Sequence, residues 1–169
     1  MRRFIRLLTP LLAGLCTAAL AGEFNTPIDM RVKGGTTYYV PGQIAGAGAV
    51  ELMVDTGSGY MTINEDILET LRAGGQVRFL RTLRGRLANG NELNVPVYLL
   101  ESVSIGDACW LHDVEAAVFP GNTRPILGLN VLQRAAPFIF SFEPPRLVLS
   151  HCDGATPPQA AEVAALQTD

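Results

Sequence analysis

The chain has 169 residues, with 13 Lys+Arg against 16 Asp+Glu, a formal net charge of −3, and 48% hydrophobic and 17% charged residues, the make-up of one ordinary globular domain. Seventeen glycines and eleven prolines, with no internal repeat and no apolar run of membrane-span length beyond the N-terminus, point to many short elements joined by turns. They exclude a coiled coil, a solenoid and a polytopic membrane protein.

At the N-terminus Arg2, Arg3 and Arg6 precede an apolar stretch that closes on Ala19-Leu20-Ala21, the small-x-small form that a signal peptidase requires. Residues 1–21 therefore read as a secretory signal cut after Ala21. Pro10 within so short a run argues against a retained anchor, so no stable membrane insertion is expected after cleavage. Leu15 before Cys16 is not the small residue of a lipid-attachment signal. The expected location is periplasmic or secreted. Losing the three arginines leaves a distinctly acidic mature chain, which disfavours nucleic acid and anionic membrane as partners. Cys109 and Cys152 remain as an even pair in a compartment where disulfides persist; a Cys109–Cys152 bond is expected, the alternative being two buried thiols.

Residues 22–35 are polar, contain Pro27 and hold no period, the character of a linker or loose arm before a domain spanning 36–152. A strand over 36–40, a glycine-rich turn (Gly42, Gly46, Gly48) and a strand over 49–54, with Val50, Leu52 and Val54 on one face, predict a buried hairpin. A short helix over 65–71 follows, capped by Asn64, with Glu65 and Asp66 at its positive end and Ile67, Leu68 and Leu71 as its apolar stripe; Gly74 and Gly75 stop it. Residues 76–87 are arginine-rich and run into Ala88-Asn89-Gly90-Asn91, which suits a tight hairpin turn leading to a strand over 95–100. Strands over 102–105 and 110–118 are separated by Gly106-Asp107. Ile126-Leu127 runs into Gly128, residues 129–134 can form a second short helix, and strands over 138–142 and 146–149 make a last hairpin around Pro144-Pro145. Trp110 and the phenylalanines are expected in the core. From Asp153 onward the Ala-, Pro- and Gln-rich chain (153–169) reads as a flexible tail. The sum is a mainly β fold, a closed or partly open barrel with one or two short helices.

The stretch richest in chemistry is Leu52-Met53-Val54-Asp55-Thr56-Gly57-Ser58, where an apolar strand delivers a carboxylate into a turn of Thr, Gly and Ser. Taken alone, Asp55 can be a turn residue or a functional acid. The segment is similar to the active-site strand of the retropepsin-like aspartic proteases, single-lobed relatives of pepsin, which ends in hydrophobic-Asp-Thr-Gly-Ser/Ala. Ile126-Leu127-Gly128, followed by Leu129-Asn130-Val131-Leu132, resembles the family's later hydrophobic-hydrophobic-Gly element beside the catalytic loop. Between them, Leu87-Ala88-Asn89-Gly90 resembles the flap tip of bacterial secreted members. The resemblance spans roughly residues 38–150, with Gly59-Tyr60 departing from the small or β-branched residues expected there.

The resemblance implies a retropepsin-like barrel and an aspartic endopeptidase acting on peptide or protein substrates without a cofactor. Two like-charged carboxylates about 3 Å apart share one proton, so that one activates water while the other polarises the carbonyl. With a single Asp-Thr-Gly in the sequence, Asp55 would meet Asp55 of a second copy in a homodimer. Thr56 would bond across the two-fold axis, Gly57 would let N–H groups approach the carboxylate, and Ser58 would donate its hydroxyl to the outer carboxylate oxygen. Ala88, Asn89 and Gly90 would form the substrate-binding flap, and Ile126, Leu127 and Gly128 would support the site.

The other acidic pairs, Asp66 with Glu69 and Asp113 with Glu115, read as solvated. Arg78, Arg81, Arg84 and Arg86 read as solvent-facing charges on an exposed hairpin, the sharper alternative being a preference for anionic peptides. With only His112 and His151 and no Gly-x-Ser-x-Gly, a serine hydrolase is disfavoured. His112-Asp113-x-Glu115 lies in a predicted strand whose alternate residues point apart, so no metal site is expected. Gly46-Ala47-Gly48 precedes a strand and does not join strand to helix, which excludes a dinucleotide fingerprint. The competing functional class is a noncatalytic peptide-binding or envelope-interaction domain on the same fold, monomeric and with an unpaired Asp55.

Overall fold

The computed structural model describes residues 24–86, 90 and 92–154. In chain order the elements are β1 (Thr26–Asp29), β2 (Arg31–Lys33), β3 (Thr37–Ile44), β4 (Gly48–Val54), β5 (Met61–Asn64), α1 (Glu65–Ala73), β6 (Val77–Arg86) and β7 (Glu92–Ile105). They continue as β8 (Cys109–Phe119), β9 (Ile126–Leu127), α2 (Leu129–Arg134), β10 (Phe138–Phe142) and β11 (Pro145–Leu149). The fold is mainly β with two short helices, as its apolar alternation and turn spacing predict. The expected signal segment 1–21 and the chain beyond 154 lie outside the described residues.

Eight strands form one sheet in the order β2-β3-β4-β9-β5-β8-β7-β6, and a further pairing of β3 with β7 curls it into a partly closed barrel. Closure depends on the length of β7. Its first half pairs with β6, Val77 opposite Leu100, while its last residues turn onto β3, Gly42 opposite Ile105 and Ile44 opposite Val103. Gly42 is needed at this seam, because a Cβ there would overlap the Ser104 carbonyl. Leu52, Met61, Ile63, Leu100, Val103, Leu111 and Leu127 are fully buried; towards its end β7 is buried on both faces, Leu100 and Val103 pointing to opposite sides. A second, three-stranded sheet, β1-β11-β10, packs against the same core through Leu147 and Leu149.

Helix α1 begins where the sequence places it. The Asn64 side chain accepts from the Ile67 N–H, Glu65 and Asp66 occupy the first turn, and Leu68 and Leu71 are buried; the helix runs to Ala73 before Gly74 caps it.

Several expectations are corrected. The stretch 22–35 is not a loose arm: β1 pairs along β11, Thr26 opposite Leu149, and β2 pairs along β3, Arg31 opposite Tyr39. These strands are too short to show a period, and their partners lie over a hundred residues away or across a turn. The two strands expected between 95 and 105 are one strand, since exposed Glu101 interrupts the apolar pattern without breaking the ladder. The last hairpin turns one residue earlier than expected, for Pro145 already pairs with Phe142. Trp110 is buried, but Phe24, Phe79 and Phe142 are exposed; Phe79 stacks edge-on against Tyr98, and Phe142 against Tyr38. Asp153 is not the start of a free tail. Its carboxylate accepts from the His112 N–H at 2.8 Å and from Arg134 at 2.6 Å, and Gly154 bridges Trp110.

Cys109 and Cys152 are joined in a disulfide that closes a loop of 43 residues in sequence and fastens the segment after β11 to the first residue of β8. Cross-linking a loop of this size restricts the unfolded chain, so replacing both cysteines by alanine is expected to cost about 2–4 kcal/mol. Urea unfolding of the oxidised protein and of the double variant, without reductant, measures the difference.

Candidate active site

Strand β4 carries Leu52 inward, with Met53 and Val54 at the barrel rim, and ends at Asp55. Its partner is not the next strand in sequence. The two-residue β9 lies between β4 and β5, parallel to β4 with Met53 opposite Ile126 and Val54 opposite Leu127, and antiparallel to β5 with Thr62 opposite Ile126. The connection from Asp55 to Tyr60 must therefore step over β9. Backbone bonds fasten it on both sides: Asp55 N–H donates to Leu127 O at 3.2 Å, Leu129 N–H to Ser58 O at 2.8 Å, and Asn130 N–H to Gly59 O at 3.2 Å.

Gly128 is where this step is tightest, since a Cβ there would overlap the Tyr60 carbonyl and crowd the Met61 nitrogen. Only a residue without a side chain lets the two backbones pass. Asn130, the second residue of α2, completes the support. Its Oδ1 accepts from Met61 N–H at 2.7 Å and its Nδ2 donates to Glu115 O at 2.8 Å, so a single amide ties β5, β8 and α2 together.

Within the turn, Gly57 N–H donates to Asp55 Oδ1 at 2.8 Å and Ser58 N–H to Asp55 O at 3.2 Å. A backbone N–H on a carboxylate oxygen fixes the orientation of the side chain. Asp55 is half-buried, while Thr56 and Gly57 are exposed at the outermost point of the turn. Ser58 departs from expectation. Its hydroxyl donates to Tyr60 O at 2.8 Å, stitching the turn to the start of β5, and is not directed at the carboxylate. The reason is local: stepping over β9 brings the Tyr60 carbonyl back towards Ser58, and that acceptor is two residues away.

The structure thus brings Asp55, Thr56, Gly57 and Ser58 together with Ile126, Leu127 and Gly128. Of the expected flap residues, Ala88 and Asn89 lie outside the described residues, and Gly90 has a positive φ of 86°, in keeping with a turn. Cys109 and Cys152 act elsewhere, in the disulfide.

A cluster beside the turn escaped the sequence reading. Arg81 on β6 donates to both oxygens of Glu115 on β8, at 3.0 and 2.5 Å, and to the Tyr60 hydroxyl at 3.1 Å, with its guanidinium carbon 6.0 Å from the Tyr60 ring centroid. Arg81 is therefore not a solvated hairpin charge, and Glu115 is not half of a solvated acidic pair. Four loosely alternating arginines give no sign of which one meets an acid more than thirty residues away; only the strand register decides it. The hydrogen bonds from Arg81 hold the Glu115 carboxyl below the usual glutamate range, against burial, which pushes it up. The hydrogen bonds to Glu115 and then to Tyr60 raise the already high value of Arg81.

A strand ending in Asp-Thr-Gly, its turn lifted over a crossing strand that closes on Gly128, defines the single-lobed barrel of an aspartic protease. The family model described as aspartyl protease matches residues 40–131, over half of the chain, and the protein belongs to that family, with a retropepsin-like fold. The crystal structure of a retropepsin-like aspartic protease from Rickettsia conorii is similar, with a TM-score of 0.52 and 21% sequence identity over 73% of this chain and 87% of that one; at this identity the likeness speaks for the fold. No curated protein matches the chain in sequence.

Two predictions follow from this geometry. Gly128→Ala forces the Tyr60 backbone away from β9 and is expected to lower stability by about 3 kcal/mol or more, beyond the usual cost of one added methyl in a packed site; equilibrium unfolding measures it. Because the folded-state pKa of Glu115 is the lower one, its pairing contributes fully above the ordinary glutamate range and fades as pH falls through the folded value. Glu115→Gln should therefore cost stability at neutral pH and progressively less in acid, as read by urea titrations of both proteins from about pH 7 to about pH 3.

Proposed function

We propose that this protein is an aspartic endopeptidase that hydrolyses peptide bonds between two copies of Asp55, one from each subunit of a homodimer. The observation that carries the reading is the Asp55–Ser58 turn itself. It is held rigidly from below by β9 and Gly128, yet it presents Thr56 and Gly57 outward, where a second turn can meet them across a two-fold axis.

In that arrangement the paired carboxylates share one proton, since two like charges at about 3 Å cannot both ionise cheaply. The ionised Asp55 takes a proton from water as its oxygen adds to the scissile carbonyl carbon. The protonated Asp55 of the partner copy gives its proton to the carbonyl oxygen. As the resulting gem-diol collapses, one hydroxyl returns its proton to the partner's Asp55 carboxylate and re-forms the C=O, the C–N bond breaks, and the departing nitrogen takes up the proton that the first carboxylate had accepted. Thr56 bonds between the two turns, and the Gly57 N–H keeps one Asp55 oxygen oriented. The hairpin of β6 and β7 borders the bound peptide, and by their place in the sequence Ala88, Asn89 and Gly90 are proposed as its flap. The Arg2–Ala21 leader and the Cys109–Cys152 bond favour a periplasmic or secreted location; among the described residues no helix is long and apolar enough to cross a membrane.

The decisive experiment incubates the protein, freed of residues 1–21, with a diverse peptide mixture from about pH 3 to about pH 8, alongside Asp55→Asn, which keeps the shape and removes the titrating acid. The native form is expected to cut, and the variant to lose at least about 10²–10⁴-fold in rate. Equal cutting by both, or sedimentation showing only monomer with a transition-state-like peptide inhibitor present, overturns the reading.

A further inference from the structure

The small apolar cluster beside the main core explains why Arg81 lies where it does. Val95, Val97 and Ala117 are buried there, with Tyr60, Leu80, Leu83, Leu93 and Phe119 packed against them. The cluster therefore joins the underside of the β6–β7 hairpin to the residue that follows the Asp55 turn. Strand β6 is the last in its sheet and is bonded to β7 alone. Its ladder is irregular between Phe79 and Arg81, after which Arg81 faces Val97, which faces Ala117 on β8. Glu115 lies two residues before Ala117, on the same face of β8. The irregularity re-aims the chain, and the Arg81 side chain crosses β7 to reach Glu115 and Tyr60.

Tyr60 is held unevenly. Its backbone is fixed by the Ser58 hydroxyl, by Gly128 and by the anchoring of Met61 on Asn130. Its hydroxyl, by contrast, is held by Arg81. The Arg81 and Glu115 side chains are 41% and 34% exposed, and ion pairs with that much solvent contribute little to global stability. What the bidentate geometry does supply is orientation, because two parallel N–H···O bonds and a third to a phenol fix a guanidinium plane.

We propose that Arg81 is a positioning residue for peptide hydrolysis: by clasping Glu115 and the Tyr60 hydroxyl together it sets the spacing between the β6–β7 hairpin and the Asp55 turn, and so the width of the channel that a peptide occupies. The inference rests on the protease reading. In this role Arg81 acts on neither the scissile bond nor the attacking water; it acts through Tyr60 and the hairpin. Loss of such a residue removes binding shared by ground and transition states, and so raises KM with kcat little changed.

The test compares native protein, Arg81→Met, Arg81→Lys and Tyr60→Phe on one peptide cleaved by the native enzyme, with Arg84→Met as a control that breaks only the exposed pair of Arg84 with Glu92 at 3.7 Å. Arg81→Met is expected to raise KM about tenfold with kcat within about twofold. Arg81→Lys should fail to restore it, since one ammonium cannot span both partners. Tyr60→Phe should give part of the effect and Arg84→Met none. Unchanged KM in Arg81→Met, full rescue by lysine, or a fall in kcat that only tracks a loss of folded protein overturns the proposal. Amide hydrogen exchange on the same proteins gives a readout independent of activity: β6 amides from 81 to 85 should exchange faster in Arg81→Met than in Arg84→Met, and equal rates overturn the clasp. If the native protein cuts no peptide, the protease reading fails by itself, and the exchange rates still decide whether Arg81 sets the hairpin.

Discussion

Gly128 and the Tyr60 carbonyl pass so close that a methyl group would not fit between them, and the candidate site is arranged around that crossing. Strands β4 and β5 follow each other in the chain but are kept apart by β9, so the link between them has to rise over a third strand. A link raised in this way cannot relax into a flat hairpin. It stands out from the barrel rim with Asp55 at its base and Thr56 and Gly57 at its crest, while the Asp55 N–H and the Ser58 and Gly59 carbonyls at its two feet find partners in β9 and α2. The geometry of a reactive carboxylate thus follows from a problem of chain topology, and the glycine that solves it lies over seventy residues away.

The same reasoning decides what the sequence could disclose. Local signals were legible: the Asn64 cap, the apolar alternation of β4, and the Gly106-Asp107 turn before β8 all depend on neighbours within a few residues. The Asp55 motif and Ile126-Leu127-Gly128 were legible as a resemblance, and their physical connection became visible only when β9 was seen between β4 and β5. Short strands with distant partners were not legible. β1 and β2 have too few residues for a period, and their identity comes entirely from β11 and β3. Ser58 and Arg81 were misread for a related reason: each has several chemically equivalent uses, and the choice among them is made by where the Tyr60 carbonyl and Glu115 come to lie.

Charge placement on the barrel is correspondingly selective. Arg146 meets Asp29 across β11 and β1, Arg134 meets Asp153, Lys33 meets Glu51, and Arg84 meets Glu92. These pairs are at least partly exposed, and each ties one peripheral segment of the barrel to another, where the contribution is a few tenths of a kcal/mol. Arg81 differs in its place, because one of its acceptors, Tyr60, ends the connection that starts at Asp55. An acidic chain that concentrates arginine in one hairpin has not simply decorated a solvated edge.

Stability is therefore divided unevenly, and the division suits a hydrolase. The main core, from Leu52 and Leu127 to Leu147 and Leu149, is fully buried and fixes the Asp55 turn from below. The hairpin wall depends on a much smaller cluster and on part-exposed polar contacts, so it opens at lower free energy than the barrel does. In the proposed dimer a peptide has to enter beside the paired acids and its fragments have to leave, which requires one side of the channel to yield while the reacting groups stay fixed. Had β6 been built into the main core, with a strand on each edge, the channel would be as rigid as the turn it serves. Leaving β6 at the sheet margin, and holding it by one guanidinium across β7, keeps the flexible part of the molecule separate from the part that must not move.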